Sequence, residues 1–432
     1  MCILDWSTAS QAQRRQALAR PAQAGAEDLH AQVREILAAV RERGDAAVRD
    51  FTRRFDGITL NDFEVGASEF AAASQRLSTA QHAAIDQAIA NVHAFHQAQA
   101  TPAVRVETAP GVLCERLVRP IRAVGLYVPA GHAPLPSTAI MLAVPAAIAG
   151  CAERVLCTPP DTQGRADPAV LVAAHRAGAT RLFKIGGAQA VAALAFGTES
   201  VPRCDKIFGP GNAWVTAAKL LAAQAPDGAA FDLPAGPSEV LVVADAQANP
   251  EFVAADLLAQ AEHSADAQAL LVTDSAALAA AVAAELSVQA AGLSRRAILA
   301  ESLQHLRLIV APDLSTAFDI VNLHAPEHLI VQVRDARDWL PRIQHAGAVF
   351  LGPWSPESVG DYCSGPNHTL PTYGQARAYS GLGLEDFQKR ITVQELTAAG
   401  LRALGETTTV LARLEGLEAH AQAVTRRLRV AS

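Results

Sequence analysis

The sequence predicts an α/β protein with two Rossmann-like parallel-sheet domains, both incomplete compared with the full fold. Three observations support this prediction. Short runs rich in β-branched or aromatic residues alternate with alanine-rich segments of helical character, which is typical of parallel sheets joined by crossover helices. The alternation occurs twice, on either side of the proline- and glycine-containing segment 233–237. Half of the 432 residues are hydrophobic, so the chain can bury the cores of about three domains.

The residues before this alternation are expected to be mainly helical. Apolar periodicity predicts helices at 28–43 and 79–97. Two alternating runs at 104–107 and 112–115 then flank Ala109-Pro110-Gly111, a pattern that predicts a β-hairpin.

The strands of the two sheets are predicted from the β-branched and aromatic runs, each followed by a helical segment. The predicted strands of the first unit are 124–128, 154–158, 181–185 and 205–208. Those of the second unit are 239–244, 268–273, 306–310, 328–333 and 348–351.

We expect four parts along the chain: a small helical N-terminal extension at 1–25, a discontinuous α/β domain from 26–123 and 236–380, an inserted α/β domain at 124–235, and a helical tail at 381–432. The clearest helix of the tail is predicted at 411–428. The tail is too short to form its own core, so it must pack on another surface.

Composition excludes several classes of function. The chain has 36 basic and 43 acidic residues, a net charge of -7 and no long run of either sign, which argues against nucleic-acid or anionic-membrane binding. The start of the sequence lacks the features of a secretory signal, and the apolar stretch 139–149 contains Pro145 and is too short to span a bilayer. The six cysteines form no CxxC pair, so we expect reduced thiols and a cytoplasmic location.

Gln260 and His263 are the first candidate ligands. Asn249-Pro250-Glu251 is typical of a helix start. Gln260 and His263 are therefore expected three residues apart on one helical face, where both can bind the same ion. For an isolated pair of this kind, a solvated surface helix is the simpler explanation.

Glu327 and His328 are adjacent, before the β-branched run 330–333. A turn entering a strand would send the two side chains in different directions, as two separately aimed proton carriers. The alternative is an exposed glutamate beside a histidine of the core.

The polar segment 360–368 is expected to be a loop of specified shape, in which Asp361 and His368 are suitable metal or substrate ligands. Its Cys363 has no activating base nearby in the sequence, so an inert thiol is favoured over a nucleophile. In the terminal helix, Glu415 and His420 are five residues apart and do not share one tight face, so solvated helix residues remain an alternative.

The strict GxGxxG fingerprint is missing, since Gly209-Pro210-Gly211-Asn212 carries only its first half. This turn and Gly186-Gly187-Ala188-Gln189 both stand where a strand is predicted to pass into a helix, a geometry that offers backbone N–H groups to a phosphate. Tight structural turns explain them equally well.

Taken together and in order, nine segments between Gly125 and His420 resemble the histidinol dehydrogenase family. They include Ala325-Pro326-Glu327-His328 and both glycine-containing turns. The full set is 125–129, 186–190, 206–212, 234–240, 256–263, 325–329, 360–371, 380–382 and 415–420.

The resemblance implies oxidation of L-histidinol through the aldehyde to L-histidine, the last steps of histidine biosynthesis, with two NAD molecules used in turn. It implies that His328 is the base for the alcohol and that Glu327 activates the water that adds to the aldehyde. One zinc ion per subunit would be held by Gln260, His263, Asp361 and His420. The implied substrate contacts are Ser238, Gln260, His263, His328, Asp361, His368, Glu415 and His420. NAD contacts would come from Tyr127, Gln189 and Asn212.

The resemblance also implies a homodimer in which Glu415 and His420 reach the site of the partner. His132, after Tyr127, and His324, before Ala325, depart from the expected pattern and affect only the surroundings of the site. Two alternatives remain: a relative that oxidises another small polar alcohol, and a zinc-binding protein without turnover. The second alternative is disfavoured because a purely structural metal site requires neither Glu327 nor His328.

Overall fold

The computed structural model describes residues 3–21, 26–130, 133–234 and 236–430. His132 lies outside these residues. The strands, in chain order, are β1 (Ile3–Asp5), β2 (Val104–Ala109), β3 (Val112–Pro120), β4 (Ala123–Tyr127), β5 (Glu153–Thr158), β6 (Arg181–Lys184), β7 (Lys206–Phe208), β8 (Ala230–Phe231), β9 (Glu239–Ala244), β10 (Gln268–Thr273), β11 (Arg307–Val310), β12 (His328–Gln332), β13 (Ala348–Leu351) and β14 (Gln388–Leu396).

The α-helices of the described residues connect and flank these strands. They are α1 (Gln11–Leu18), α2 (Ala26–Arg43), α3 (Asp45–Phe55), α4 (Ala67–Gln75), α5 (Thr79–Gln97), α6 (Pro136–Ala149), α7 (Pro168–Arg176), α8 (Gly187–Phe196), α9 (Ala213–Gln224), α10 (Pro250–Ala261), α11 (Ala276–Ala290), α12 (Arg296–Ser302), α13 (Leu314–His324), α14 (Glu357–Tyr362), α15 (Ala398–Leu414) and α16 (Glu418–Val430). The helix predicted at 79–97 is confirmed, and Ser78 caps it with a capping box. None of these helices has the length and apolar character needed to cross a membrane.

Two parallel sheets confirm the predicted α/β class. The first has five strands in the order β6-β5-β4-β7-β8, and the second has six in the order β1-β11-β10-β9-β12-β13. Every residue of β4, β9, β10 and β12 is buried. Such strands are covered on both faces, which explains why they are nearly continuous apolar runs in the sequence.

The N-terminal extension was expected to be helical only, and this expectation was incomplete. Its α1 is preceded by β1, which pairs in parallel with β11 at the edge of the six-stranded sheet. Three residues are too few to show the alternation of a strand, so the pairing depends on the tertiary structure.

Helices α2 and α5 pack on the helices that flank the five-stranded sheet, α2 on α8 and α9 and α5 on α6. Val33 and Val40 of α2 share a core with Phe183, while Val92 of α5 shares a second core with Met141. The grouping of 26–123 with 236–380 in one domain stays a prediction. A periodic apolar stripe shows which face of a helix is buried, but not which surface covers it.

The predicted hairpin is present as β2 and β3, but β3 also pairs with β14 along its whole length. The segment 381–432 was expected to be helical, so β14 corrects that prediction. Most residues of β14 are exposed, and its partner lies far away in the sequence, so the local pattern does not reveal it.

The single helix predicted at 411–428 is two helices, α15 and α16. The break falls at Gly416, whose φ is 73°, a left-handed conformation that favours glycine after a helix end. The two helices pack closely where Gly405 faces Leu428, because a Cβ at Gly405 would lie 2.7 Å from a Leu428 methyl carbon. The tail is therefore a helical hairpin that follows the strand β14.

Candidate active site

A cleft of about 1190 Å³ lies between the two parallel sheets and contains most of the predicted site residues. One wall carries Tyr127, Gln189 and Asn212. The opposite wall carries Ser238, His263, Glu327, His328, Asp361 and His368. Segments that are far apart in the sequence thus meet where strands of the five-stranded sheet end and strands of the six-stranded sheet begin. The first of these positions, the carboxyl ends of parallel strands, is usual for binding sites in α/β proteins.

Glu327 is buried at the entrance to β12. Its Oε2 accepts hydrogen bonds from Ser238 Oγ at 2.6 Å and from the backbone N–H of Glu239 at 2.9 Å. Burial raises the pKa of Glu327 to about 7, although nearby His328 and these donors favour the charged form. A carboxyl group with this pKa can accept a proton near neutral pH.

His328 is the first residue of β12 and is also buried. Its Nδ1 lies 3.2 Å from the carbonyl oxygen of Glu239, so this nitrogen carries the donated hydrogen. Burial opposes the charge on His328, but the carboxylates of Glu357, Glu327 and Asp361 outweigh it and raise its pKa. The Nε2 atom has no hydrogen-bond partner among the described residues and lies 3.6 Å from Asp361 Oδ1.

The expected divergence of Glu327 and His328 was wrong. Glu327 Oε2 lies 3.6 Å from His328 Nδ1, so the two groups form one contact pair. Glu327 precedes the first residue of β12, and Ala325 before it has a left-handed φ of 54°. The alternation of side chains along a strand therefore does not extend to Glu327.

Glu357 is a site residue that the sequence analysis missed. Its side chain is 1% exposed and lies 3.5 Å from His328 Nδ1, and both carboxylate oxygens lack a hydrogen-bond partner within the described ranges. Burial raises its pKa to about 8. Glu357 and Asp361 are four residues apart in α14, so they share a helical face, and this spacing is the signal that could have found Glu357.

The same helix corrects the expected loop at 360–368, since α14 continues to Tyr362. His368 lies beyond the helix and connects two parts of the site. Its Nδ1 lies 2.9 Å from the carbonyl oxygen of Asp361, and its Nε2 lies 3.2 Å from the hydroxyl of Thr138 in α6. Burial lowers the pKa of His368, so it faces the cleft as a neutral ring.

His263, Glu357 and Asp361 form a cluster suited to a metal ion. One ligand atom of each lies within 4.8 Å of the others. Histidine nitrogen and carboxylate oxygen are donors that Zn²⁺ uses, and the two unpartnered oxygens of Glu357 are available to it. The donor set therefore fits a divalent cation, and Glu357 lies next to the expected ligands His263 and Asp361.

Gln260 is fully buried and contacts Ser238. Its Oε1 lies 3.4 Å from Ser238 Oγ, and its Nε2 has no hydrogen-bond partner in the part of the chain described. The predicted helix start is confirmed, because Asn249 caps α10. The helix ends at Ala261, however, so His263 lies in the following turn and does not continue the helical face of Gln260.

Both glycine-containing turns lead from a strand into a helix, as predicted. Gly186 stands before α8, and the hydroxyl of Tyr127 accepts a hydrogen bond from Gly187 N–H at 3.0 Å. Asn212 caps α9 by accepting from two backbone N–H groups. A Cβ at Gly209, where φ is 120°, would lie 2.1 Å from the Tyr127 carbonyl oxygen, so only glycine fits this close approach.

These features agree with comparisons to known proteins. The sequence profile of the histidinol dehydrogenase family matches residues 19–428. The chain belongs to this family. The histidinol dehydrogenase of Xanthomonas euvesicatoria pv. vesicatoria (strain 85-10) is 55% identical over 432 residues and is covered completely, as is this chain. That of Yersinia pestis is 53% identical over 426 residues, 99% of this chain and 95% of the relative.

A solved structure agrees as well. Histidinol dehydrogenase from Elizabethkingia anophelis has a TM-score of 0.95 and 43% sequence identity, and the match covers 99% of this chain and 98% of that one. As a histidinol dehydrogenase family member, the chain is an oxidoreductase. Family membership and the shared fold confirm the resemblance inferred from the nine segments.

Two residues that were expected in the site do not line the cleft in this histidinol dehydrogenase family member. Glu415 caps the end of α15 and His420 lies in the first turn of α16, and the described lining of the cleft includes neither of them. Cys363 does not line the cleft either; its carbonyl oxygen accepts a hydrogen bond from Asn91. The Cys363 side chain packs against the hydrophobic core that contains Met141.

Proposed function

We propose that this protein is a zinc-containing, NAD-dependent enzyme that oxidises L-histidinol through L-histidinaldehyde to L-histidine in the last steps of histidine biosynthesis. One observation carries the proposal. The buried pair Glu327 and His328 faces the same cleft as the metal-type cluster around Asp361 and the turn at Asn212. Proton transfer, metal binding and cofactor binding can therefore act on one substrate.

In the first oxidation, His328 in its neutral form takes the proton of the alcohol on Nε2. The Glu239 carbonyl holds the hydrogen on Nδ1 and so selects this tautomer. Zinc, when bound, supplies a fixed point for the imidazole and amine of the substrate, and NAD supplies the hydride acceptor. The carboxylates near His328 stabilise the imidazolium that forms, since opposite charges attract strongly in a buried site.

In the second oxidation, Glu327 accepts a proton from the water that adds to the aldehyde. Ser238 and Glu239 both donate to Oε2, which leaves Oε1 as the atom that takes the proton. The pKa of about 7 suits this role, because a general base works best when its pKa is close to the ambient pH. His328 is 3.6 Å away and can exchange a proton with Glu327 between the two steps.

The two walls of the cleft bind different molecules, zinc and substrate on one side and NAD on the other. On the metal side, Gln260, His263 and Asp361 hold one zinc ion per subunit, together with His420 of a second copy of the chain. The substrate is held by these ligands and by Ser238, His328, His368 and Glu415. On the other side, Tyr127, Gln189 and Asn212 contact NAD.

The active form is a homodimer with shared sites, located in the cytoplasm. The absence of Glu415 and His420 from the described lining of their own cleft supports this arrangement. The end of α15 and the turn after it also expose apolar residues that a partner would cover. These are Val410, Leu411, Leu414 and Leu417.

The proposal is tested by following NADH production from L-histidinol with zinc-replete protein. We expect two NADH for each histidine formed, loss of activity after chelation, and recovery when zinc is returned. His328→Ala should lose the activity while retaining bound zinc. No NADH from L-histidinol under zinc-replete conditions would refute the proposal, and faster turnover of another polar alcohol in a panel would point to the alternative substrate.

A further inference from the structure

Arg20 lies outside the cleft, in the segment between α1 and α2. Its side chain nevertheless binds Glu239, whose backbone contacts both catalytic residues. Its Nε donates to Glu239 Oε2 at 2.6 Å and its Nη2 donates to Glu239 Oε1 at 2.9 Å. The Glu239 side chain is 2% exposed and that of Arg20 is 16% exposed. Arg20 and Glu239 thus form a bidentate ion pair that is largely shielded from water. Such a pair strongly favours one fixed geometry.

The same guanidinium group also holds the turn that precedes the catalytic pair. Nη2 donates to the carbonyl oxygen of His324 at 2.9 Å and approaches that of Ala325 at 3.4 Å. Ala325 is the left-handed residue at which α13 ends and the chain turns toward Glu327. A left-handed conformation is costly for alanine, so it requires support from its surroundings.

Glu239 connects this guanidinium to both catalytic residues through its backbone. Its N–H donates to Glu327 Oε2 at 2.9 Å, and its carbonyl oxygen lies 3.2 Å from His328 Nδ1. Arg20 thus binds the two chain segments whose relative position sets the orientation of Glu327 and His328.

The segment that carries Arg20 is itself tied to the six-stranded sheet. The Gln268 side chain donates to the Ala19 carbonyl oxygen at 2.8 Å, and the Tyr373 hydroxyl donates to that of Pro21 at 2.7 Å. The backbone on either side of Arg20 is therefore held by hydrogen bonds, which fixes the starting point of its side chain.

We infer that Arg20 is a positioning residue for the catalytic pair, acting through Glu239 and the turn at Ala325. The inference rests on the proposed function of Glu327 and His328 as proton carriers. Lysine cannot replace it, because one ammonium group cannot hold two carboxylate oxygens and a carbonyl oxygen in the fixed fork that arginine provides.

The test compares Arg20→Lys and Arg20→Met with Arg14→Met. Arg14 is a matched control in the same N-terminal segment, since it donates to the Trp6 carbonyl oxygen and packs over the Trp6 ring away from the cleft. For Arg20→Met we expect kcat to fall by about 10- to 100-fold, because small misplacements of catalytic groups have effects of this size. The KM for NAD should stay unchanged, Arg20→Lys should lie between, and Arg14→Met should retain the wild-type kcat.

Hydrogen exchange supplies a measurement that needs no substrate. Arg20→Lys should increase amide exchange in peptides that span residues 238–241 and 324–329, and Arg14→Met should not. Wild-type kcat in both Arg20 variants, or equal exchange in the Arg20 and Arg14 variants, would overturn the inference. Inactive wild-type protein would refute the proposed function instead, and the exchange comparison would still decide the role of Arg20.

Discussion

Ser238 Oγ lies 2.6 Å from Glu327 Oε2 and donates a hydrogen bond to it. The two residues come from different segments of the six-stranded sheet, one just before β9 and the other just before β12. A hydrogen bond to a carboxylate stabilises its charged form, whereas burial raises the pKa of Glu327 to about 7. Ser238 thus keeps Glu327 available as a base near neutral pH.

The oxidation of L-histidinaldehyde should become faster as the pH rises through about 7, because Glu327 must be deprotonated to accept a proton. Ser238→Ala removes a donor to the carboxylate, so the midpoint of this rise should move to higher pH. The measurement is the pH profile of kcat with the aldehyde as substrate. Glu327→Gln is the control and should lose the rise; an unchanged or lower midpoint in Ser238→Ala would contradict the prediction.

Glu357→Gln should weaken zinc binding by about 10- to 100-fold, the usual effect of changing a group next to a metal. The variant keeps the shape of a buried side chain but cannot offer a carboxylate to a metal ion beside His263 and Asp361. Zinc affinity is measured by competition with a chelator of known affinity. Glu262→Gln, a carboxylate that lines the cleft outside the cluster, should bind zinc as the wild type does. Equal affinities in the two variants would exclude Glu357 from the metal site.

Lys219→Met should lower the free energy of unfolding by about 3 to 5 kcal/mol, since it leaves the partner of a buried ion pair without compensation. Lys219 pairs with Asp232, and together they hold both sides of Gly209: Lys219 Nζ donates to its carbonyl oxygen at 2.8 Å, and Asp232 accepts from its N–H at 2.8 Å. Because Gly209 begins the turn at Asn212, the KM for NAD should also rise.

Urea denaturation followed by circular dichroism measures the stability change of Lys219→Met. The control is Asp227→Asn, which breaks the exposed ion pair between Arg41 and Asp227 and should cost only about 0 to 1 kcal/mol. Equal midpoints for the two variants would show that the buried pair does not stabilise the turn.

Two inactive variants should restore activity to each other if the sites are shared between subunits. In a mixed dimer of Glu327→Gln and His420→Ala, one site carries both changes and the other carries neither. Random reassembly of equal amounts should therefore recover about a quarter of the wild-type activity, as expected for exchange across a two-fold interface. No recovery after reassembly would show that His420 acts within its own chain.

The β-branched runs predicted both parallel sheets because strands buried on two faces must be apolar along their whole length. Of the polar residues that the sequence singled out, His263, Glu327, His328 and Asp361 line one cleft, and their roles stay predictions. Conversely, the sequence did not reveal β14 or the packing surface of α2, since both depend on partners distant in the chain.

The sequence by itself thus determined the fold class, the family and the segments that carry the site, because these follow from local periodicity and from ordered motifs. Only the tertiary structure decided that Glu327 and His328 touch, that Glu357 joins the cluster around Asp361, and that Arg20 reaches Glu239. Such contacts depend on distances between segments, and those distances are set by how the whole chain packs.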